Sequence, residues 1–213
     1  MGYHESLTEG RNAVLEAFRS GKTVDRLFVL DGCQDGPVKT ILREAKKQDT
    51  MVQYVKKERL DQLSETKNHQ GVIAYCAACE YAEVSDILEN AKKKGEAPFI
   101  VLLDGIEDPH NLGAIIRTAN QAGAHGVIIP KRRAVGLTAT VARTSAGAVN
   151  YTPVAKVTNL VTVMEDLKKE GMWFVCADMD GEEMYSLNLK GPIGLVIGNE
   201  GEGVSRLVKE HCD

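Results

Sequence analysis

The chain has 213 residues, of which 43% are hydrophobic and 26% charged, and its formal net charge is −4. These values are typical of a globular chain of one large or two small domains, and they exclude a disordered or collagen-like protein. No apolar run approaches the roughly 18–20 residues that a membrane span needs, so no membrane partner is expected, and the net charge taken alone does not favour nucleic acid.

The first 79 residues alternate between helical and extended patterns. Thr8 is placed to cap a first helix, in which Val14, Leu15 and Phe18 form an apolar stripe at helical spacing. The predicted helices cover about 8–21, 37–48 and 58–63. The predicted strands cover 26–30, 51–55 and 71–76. This alternation indicates a small α/β domain over residues 1–79.

A polar and charged segment at 80–98 follows, and we predict a linker that carries one short helix. A second α/β domain is predicted over 99–213. Its strands are predicted at 99–105, 126–130, 151–157, 172–178 and 191–198. Its helices are predicted at 111–123, 138–143, 159–171 and 203–211. Because strands and helices alternate, the sheet should be largely parallel and covered on both faces.

The charges are unevenly distributed along the chain. The 56 residues from Pro109 to Met164 contain no Asp or Glu. They carry six cations, which are Arg117, Lys131, Arg132, Arg133, Arg143 and Lys156. A surface that faces a polyanion requires such a stretch, although buried strands and small-residue turns would also leave little room for acids.

The first candidate for chemistry is the segment DGIEDPHNLGAIIRTANQAGAHGVIIP at 104–130. A buried strand runs into an Asp-Pro-His-Asn turn that opens a helix, and ligands of parallel α/β sheets bind at such turns. Asn111 is placed where a helix N-cap belongs, and Arg117 lies six residues further on. In the alternative interpretation, Asn111 is only a helix cap and Arg117 is only a surface cation.

The second candidate is LVIGNEGEGVS at 195–205, where an apolar strand ends in a glycine-rich turn. Its glycine spacing is neither the dinucleotide fingerprint nor a P-loop. Glycines allow a ligand to approach the backbone closely, while Glu200 and Glu202 would repel a phosphate. A neutral or cationic ligand, such as an adenine, a ribose or a sulfonium, therefore fits better. The alternative interpretation is a tight strand-to-helix turn that binds no ligand.

Other candidate sites are weaker. The small-residue run RTSAGAVN at 143–150 fits either a close-packed turn or part of a pocket. Cys76 and Cys79 have the spacing of a zinc half-site, but no second pair of ligands shows that spacing, so no metal is expected. Five cysteines and an N-terminus without a signal-peptide pattern predict a reducing, cytoplasmic location.

Together these segments resemble the SpoU branch of the SPOUT methyltransferases, which transfer methyl groups from S-adenosylmethionine to RNA ribose 2′-hydroxyls. DPHNLGAIIRTANQAGAHGVIIP is similar to the family's first motif, and IGNEGEGVS is similar to its second. HESLTEGRNAVLEAF and NHQGVIA are similar to the N-terminal substrate-binding domain of the subgroup that methylates a guanosine in large-subunit ribosomal RNA. A closely related subgroup acts on tRNA.

The resemblance implies a role for each motif residue. Arg117 engages the 2′-hydroxyl and a neighbouring phosphate, Asn111 holds the turn and the substrate, and Glu200 fixes Arg117. The cofactor is bound by residues of the glycine-rich turn, which are Gly198, Asn199, Gly201 and Gly203. RNA backbone lies against basic side chains of the acid-free stretch, which are Lys131, Arg132, Arg133 and Arg143. The resemblance also implies a homodimer in which two subunits complete each site.

The resemblance implies a parallel-sheet SPOUT domain with a C-terminal trefoil knot. The family's third motif, an apolar strand, a Ser-Leu-Asn turn and a last helix, threads that knot and supplies part of the cofactor pocket. It is expected after Asp213, where this sequence stops, and the Ser-Leu-Asn at 186–188 precedes the second motif and is a coincidence. The knot and the pocket of residues 99–213 are therefore expected to be incomplete.

Two other classes of function compete with this interpretation. A non-catalytic RNA-binding protein of two α/β domains would keep the scaffold without the cofactor, and cofactor binding separates it from the enzyme. A nucleotide-binding oxidoreductase is opposed by the glycine spacing.

Overall fold

The computed structural model describes residues 6–213, and the chain divides into two units, Met1–Glu80 and Tyr81–Asp213. In the first unit the strands are β1 (Ser6–Glu9), β2 (Val24–Leu30), β3 (Met51–Val55) and β4 (Val72–Cys76). Its helices are α1 (Arg11–Arg19), α2 (Gly36–Lys47) and α3 (Lys57–Leu63). The strand order is β1-β4-β2-β3, and only the β2–β3 pair is parallel.

The start of the first unit differs from the sequence prediction. Thr8 does not cap a helix: it lies in β1 and pairs with Ala74 of the antiparallel neighbour β4. The first helix begins at Arg11, after Gly10 at a φ of 87°. Four residues give too little local pattern to identify an edge strand, and only pairing with a distant strand defines it.

Two cores cover the sheet of the first unit. On one face, α1 and α2 bury an apolar cluster against β2 and β4 that includes Phe18, Leu27 and Ile41. On the other face, Leu60 of α3 packs with Phe28 and Ile73. The predicted apolar stripe of α1 is thus partly confirmed, with Val14 and Phe18 buried and Leu15 half-buried.

The second unit is a five-stranded parallel sheet with the order β7-β6-β5-β9-β8. Its strands are β5 (Phe99–Leu103), β6 (Gly126–Pro130), β7 (Val154–Val157), β8 (Trp173–Cys176) and β9 (Ile193–Ile197). Its helices are α4 (Val84–Lys94), α5 (Pro109–Gln121), α6 (Ala139–Thr144), α7 (Leu160–Lys169) and α8 (Arg206–Lys209). The parallel sheet predicted from the alternating pattern is confirmed.

Helix α4, expected within a linker, is packed into the second unit. Ile87 and Ala91 are fully buried, and a Cβ added at Gly126 would lie 2.5 Å from the Ile87 side chain. The helix therefore rests directly on β6, and only a residue without a side chain permits that approach. At the other end of the chain, α8 is shorter than predicted because the turn before it occupies residues 198–205.

No helix among residues 6–213 has the length and hydrophobicity that a membrane crossing requires.

Candidate functional site

The loops after β5, β6, β8 and β9 all leave the sheet at one edge, because these strands are parallel. Ligands of parallel α/β sheets bind at this carboxyl edge, beside the strand where the winding direction changes. That strand is β5: the chain winds through β6 to β7 on one side, while β9 and β8 lie on the other. Both predicted motifs begin at this edge, after β5 and β9.

The loop after β5 is held by two aspartates. The Asp104 carboxylate accepts a hydrogen bond from the Ser205 amide at 2.8 Å, which links this loop to the turn after β9. Asp108 caps α5 by accepting from the His110 amide at 2.8 Å, and Pro109 occupies the first helical turn. The N-cap position predicted for Asn111 is therefore wrong, and Asn111 lies inside the helix.

Asn199 stabilises the glycine-rich turn through side-chain and backbone hydrogen bonds. Its side-chain amide donates to the Gly105 carbonyl at 2.8 Å. Its side-chain oxygen accepts from the Gly201 and Glu202 amides at 2.8 and 3.2 Å. Its backbone pairs in both directions with Gly203. Both polar groups of this side chain are therefore engaged by the protein.

Gly198 is required by the closeness of the turn that follows it. A Cβ at this position would lie 2.1 Å from the Gly203 carbonyl carbon and 2.2 Å from the Val204 nitrogen. Because both atoms belong to the backbone, no side-chain rotation could relieve the overlap. Gly203 has a φ of 69°, in the left-handed region that favours glycine. These two glycines allow the turn to fold back on the end of β9.

Asn111 and Glu200 bring the two motifs together. The Asn111 amide donates to the Glu200 carboxylate at 3.4 Å, across 89 residues of sequence. Beside this contact lies a cavity of about 450 Å³. It is lined by Ile106, Glu107, Asp108, Asn111, Asn199, Glu200 and Gly201. Three of these residues are acidic, so the cavity is suited to a ligand with positive charge or hydrogen-bond donors.

Arg117 is exposed on α5, and its side chain makes no hydrogen bond or ion pair with any residue in 6–213. It lies six residues after Asn111, which places the two side chains about 120° apart around the helix. The expected contact between Arg117 and Glu200 is therefore not present in the described part of the chain. Glu200 instead accepts from Asn111.

The basic stretch forms the loop after β6. The Lys131 amide donates to the Val157 carbonyl at 2.8 Å, and the Val135 amide donates to the Ile106 carbonyl at 2.9 Å. The second bond joins the basic loop to the loop after β5. Arg132 and Arg133 are exposed between these two anchors. Arg143 is also exposed, on α6, where it donates to the Thr140 hydroxyl at 3.1 Å.

Helix α6 lies directly against the first motif. A Cβ added at Gly113 would lie 1.9 Å from the Thr144 hydroxyl oxygen and 3.0 Å from the Ser145 nitrogen. Thr144 in turn donates to the Pro109 and Thr140 carbonyls. The small-residue run at 143–150 is therefore a close-packed turn against α5, which was one of its two predicted interpretations.

An ion pair fastens the last helix to the same edge of the sheet. Lys209 donates to the Asp178 carboxylate at 2.7 Å, just beyond the end of β8. This hydrogen bond lowers the pKa of Asp178 and raises the pKa of Lys209 from their usual values. No group of three His, Cys, Asp or Glu side chains in residues 6–213 is arranged to hold a metal ion.

Sequence reasoning did not identify Asp104, Ile106, Glu107 or Asp108 as part of the site. The first two contribute through the bonds to Ser205 and Val135, and the last three line the cavity. All four lie in the segment 104–130, directly at the end of the buried strand β5. Their position at a strand end was an available signal.

Comparison with known proteins shows the family. A model described as the SpoU rRNA Methylase family matches residues 98–213, and one described as RNA 2′-O ribose methyltransferase substrate binding matches 7–82. The chain is 48% identical over 206 residues to YacO of Bacillus subtilis, named a TrmH family tRNA/rRNA methyltransferase, and the match covers 96% of this chain and 82% of that protein. A protein of the same family name from Staphylococcus haemolyticus is 45% identical over 205 residues, covering 96% and 82%.

Solved structures show the same fold. The SpoU methyltransferase AviRb from Streptomyces viridochromogenes, in complex with its cofactor AdoMet, aligns with a TM-score of 0.57 at 24% identity, over 98% of this chain and 78% of that one. An rRNA methyltransferase from Sinorhizobium meliloti aligns with a TM-score of 0.55 at 24% identity, over 99% and 77%.

The chain belongs to the SpoU family of RNA methyltransferases. It is an enzyme of that class, and S-adenosylmethionine is the methyl donor of the family.

Proposed function

We propose that this protein transfers a methyl group from S-adenosylmethionine to the ribose 2′-hydroxyl of a guanosine in large-subunit ribosomal RNA. The observation that carries the proposal is the meeting of the two motifs at the Asn111–Glu200 contact, at the carboxyl edge of the sheet. Ribosomal RNA is favoured over tRNA because the first unit resembles the substrate-binding domain of the ribosomal subgroup, and a substrate-binding family model matches residues 7–82.

The glycine-rich turn fits the cofactor by its chemistry. The amides of Gly201, Glu202 and Gly203 all donate within the turn, so it does not offer these three donors to an anion. Glu200 and Glu202 add negative charge. A ligand that carries its own donors and a positive charge suits this lining better than a phosphate does.

Residues of the turn would hold the cofactor, with Gly201 and Gly203 giving access to the backbone. Gly198 lets the turn close on the end of β9, and Asn199 keeps the turn in one conformation. When bound, the cofactor supplies a methyl group on a positively charged sulfonium, from which the neutral thioether is a good leaving group. The protein then has to position the ribose hydroxyl and ease the loss of its proton.

Arg117 is proposed to orient the 2′-hydroxyl and to stabilise the negative charge that develops on its oxygen. A guanidinium ion has no free lone pair at ordinary pH, so Arg117 does not serve as the general base. Asn111 would hold the turn and the substrate. Glu200 accepts from Asn111 and so positions this amide. A bond from Arg117 to Glu200 remains part of the proposed mechanism.

The RNA backbone would run along the exposed cations beside the site. Arg132 and Arg133 are presented by the loop after β6, next to Lys131, and Arg143 lies on α6. These residues belong to the acid-free stretch, so phosphate would meet little repulsion there. We also propose a cytoplasmic location, which suits an RNA substrate.

The target is tested by methylation in vitro. RNA from cells that lack the protein is incubated with the purified enzyme and radiolabelled S-adenosylmethionine, and the labelled species are separated. Label in large-subunit ribosomal RNA, at a guanosine 2′-oxygen, is expected. Label in tRNA alone would contradict the ribosomal assignment but keep the reaction, and the absence of label from all RNA would contradict the function.

A further inference from the structure

The first unit has one exposed large apolar side chain among its described residues, Tyr54, which is 57% exposed. Tyr54 lies near the carboxyl end of β3, the edge strand of the sheet, and pairs with Val29 of β2. Its neighbour two residues back, Val52, packs against the core formed with α1 and α2. Tyr54 therefore extends from the same face, beyond the covered part of the sheet.

Three cations follow Tyr54 within five residues: Lys56, Lys57 and Arg59. Lys56 and Lys57 directly follow β3 and begin α3, so both lie within three residues of Tyr54 at the same end of the edge strand, and both are exposed. Neither the Lys56 nor the Lys57 ammonium group has a hydrogen-bonding or ion-pairing partner among residues 6–213. Glu58 is the one acid between Met51 and Arg59.

Lysines alone at this place would be explained by protection of an edge strand against pairing with another chain. An exposed tyrosine beside them is not explained in that way, because it adds apolar surface to the edge. An aromatic ring next to unpaired cations is the combination that binds single-stranded nucleic acid: the ring stacks on a base, and the cations contact the flanking phosphates.

We propose that Tyr54, Lys56 and Lys57 form a binding site for an unpaired nucleotide of the RNA substrate. A base stacks on the Tyr54 ring, and the two ammonium groups contact the phosphates next to it. This inference rests on the proposed function, which makes RNA the substrate. It deepens that function by naming the place on the first unit that holds RNA and the kind of RNA, single-stranded rather than duplex.

The test measures binding of the whole chain, without cofactor, to a 12-nucleotide single-stranded RNA that carries 2-aminopurine. Tyr54→Ala is expected to weaken binding roughly 5- to 100-fold, the scale of one lost stacking contact. It should also abolish the quenching of 2-aminopurine. Tyr54→Phe keeps the ring and should stay within about 3-fold of the parent protein.

The lysines are tested through salt dependence. The double variant Lys56→Ala/Lys57→Ala should flatten the slope of log affinity against log salt by about 1.4, from about 0.7 per phosphate contact on a single strand. Tyr54→Ala should leave that slope unchanged. Lys22→Ala is the matched cation control, since Lys22 precedes β2 at the opposite end of the sheet, and Tyr185→Ala is the matched control for an exposed aromatic.

Several outcomes would overturn the site. Among them are unchanged affinity in Tyr54→Ala, equal losses in Lys22→Ala or Tyr185→Ala, equal weakening with a blunt RNA duplex, and no binding of the single strand by the parent protein. Because RNA binding is measured without methyl transfer, a negative methylation assay would not affect the binding results for Tyr54, Lys56 and Lys57. If Tyr54→Ala binds the single strand as well as the parent protein does, while methylation of RNA is observed, this inference is contradicted and the proposed function is not.

Discussion

Asn199 shows how a residue assigned to the cofactor can act through the backbone around it. Its side chain is committed to Gly105, Gly201 and Glu202. Its proposed contribution to cofactor binding is therefore to keep the glycine-rich turn in one conformation. Asn111 shows the reverse: the sequence predicts a helix cap, and its amide instead reaches Glu200 in the other motif.

Arg117 provides the sharpest test at the level of one residue. Arg117→Ala is expected to reduce methyl transfer about 100-fold or more, the scale of a positioned catalytic group. The affinity for S-adenosylmethionine should change little, because the cofactor is assigned to the turn at 198–203. Arg117→Lys should restore little, since an ammonium group cannot reproduce a planar fork of donors. Single-turnover rates and calorimetric titration measure the two quantities separately.

Lys92→Ala is a suitable control, because Lys92 is an exposed cation of the same unit on α4. Equal losses of cofactor affinity and methyl transfer in Arg117→Ala would show that Arg117 supports the cofactor or the fold, and the assigned role would be wrong.

Glu9 stabilises the first unit in a pH-dependent way. Desolvation raises the pKa of its carboxyl group, but hydrogen bonds from Ser64, Thr66 and the Glu65 amide outweigh it and hold the pKa below the ordinary 4.5. A lowered pKa stabilises the fold above the unfolded value, and this contribution is lost as pH falls through the folded pKa. Residues 64–66 should therefore loosen below about pH 4.5.

Hydrogen exchange measures this effect directly. At neutral pH, Glu9→Gln should accelerate exchange of the Glu65 and Thr66 amides about 10-fold or more, because both donate to the carboxylate. The difference between parent and variant should shrink as the carboxylate becomes protonated. Glu16→Gln, an exposed change on α1, should leave these amides unaffected. A difference independent of pH would contradict the role of ionised Glu9.

At the scale of secondary structure, the site is formed by loops that are hydrogen-bonded to one another. The loop after β5 bonds to the turn after β9 through Asp104 and Asn199, and to the basic loop through Ile106. The glycines at 113 and 198 permit the closest of these approaches, since a Cβ at either would overlap neighbouring atoms. A parallel sheet brings such loops to one edge, so residues far apart in sequence share one site.

The basic loop after β6 is tested by salt. Replacing Lys131, Arg132 and Arg133 with Ala should flatten the slope of log RNA affinity against log salt by roughly 0.7–0.9 for each phosphate contact removed. A triple variant at Lys92, Lys93 and Lys94, three exposed lysines of the same unit, removes the same charge from α4 and should change the slope little. Equal slopes for the parent protein and the basic-loop variant would show a solvated loop away from RNA.

At the scale of the whole molecule, we predict a homodimer through the second unit. The family resemblance implies that two subunits complete each site. Six of the seven exposed large apolar side chains among the described residues lie in this unit: Tyr151, Met179, Met184, Tyr185, Leu187 and Leu207. Light scattering at micromolar concentration should give twice the 23.2 kDa mass of the chain. A monomer would contradict the prediction.

Complementation tests whether the two subunits share a site. Arg117→Ala and Gly198→Ala should each be inactive, the second because its Cβ would overlap the Gly203 backbone. If each site takes Arg117 from one subunit and the turn from the other, a mixture should recover about a quarter of parent activity, since half of the dimers are mixed and one of their two sites is intact. No recovery would place both groups in one subunit.

Local sequence patterns were enough to predict most of the secondary structure and the position of the site. Helical stripes and buried runs identified the strands from β2 to β9 and most of the helices, because periodicity reports which side of an element is buried. The motif segments at 104–130 and 195–205 placed the site at strand ends, because each couples a buried apolar run to a turn that opens a helix. The trefoil knot, the dimer and the target RNA stay predictions.

The tertiary structure decided what depends on distant partners. Strand β1 exists because Ser6–Glu9 pairs with β4, from Ser6 with Cys76 to Glu9 with Ile73, and no local signal marks it. Asp108 rather than Asn111 caps α5, and Asn111 is thereby free to meet Glu200. The short helix predicted before β5 packs into the core of the second unit, because Gly126 has no side chain opposite Ile87. Composition and spacing describe each element alone, whereas hydrogen bonds and close packing between elements require the fold.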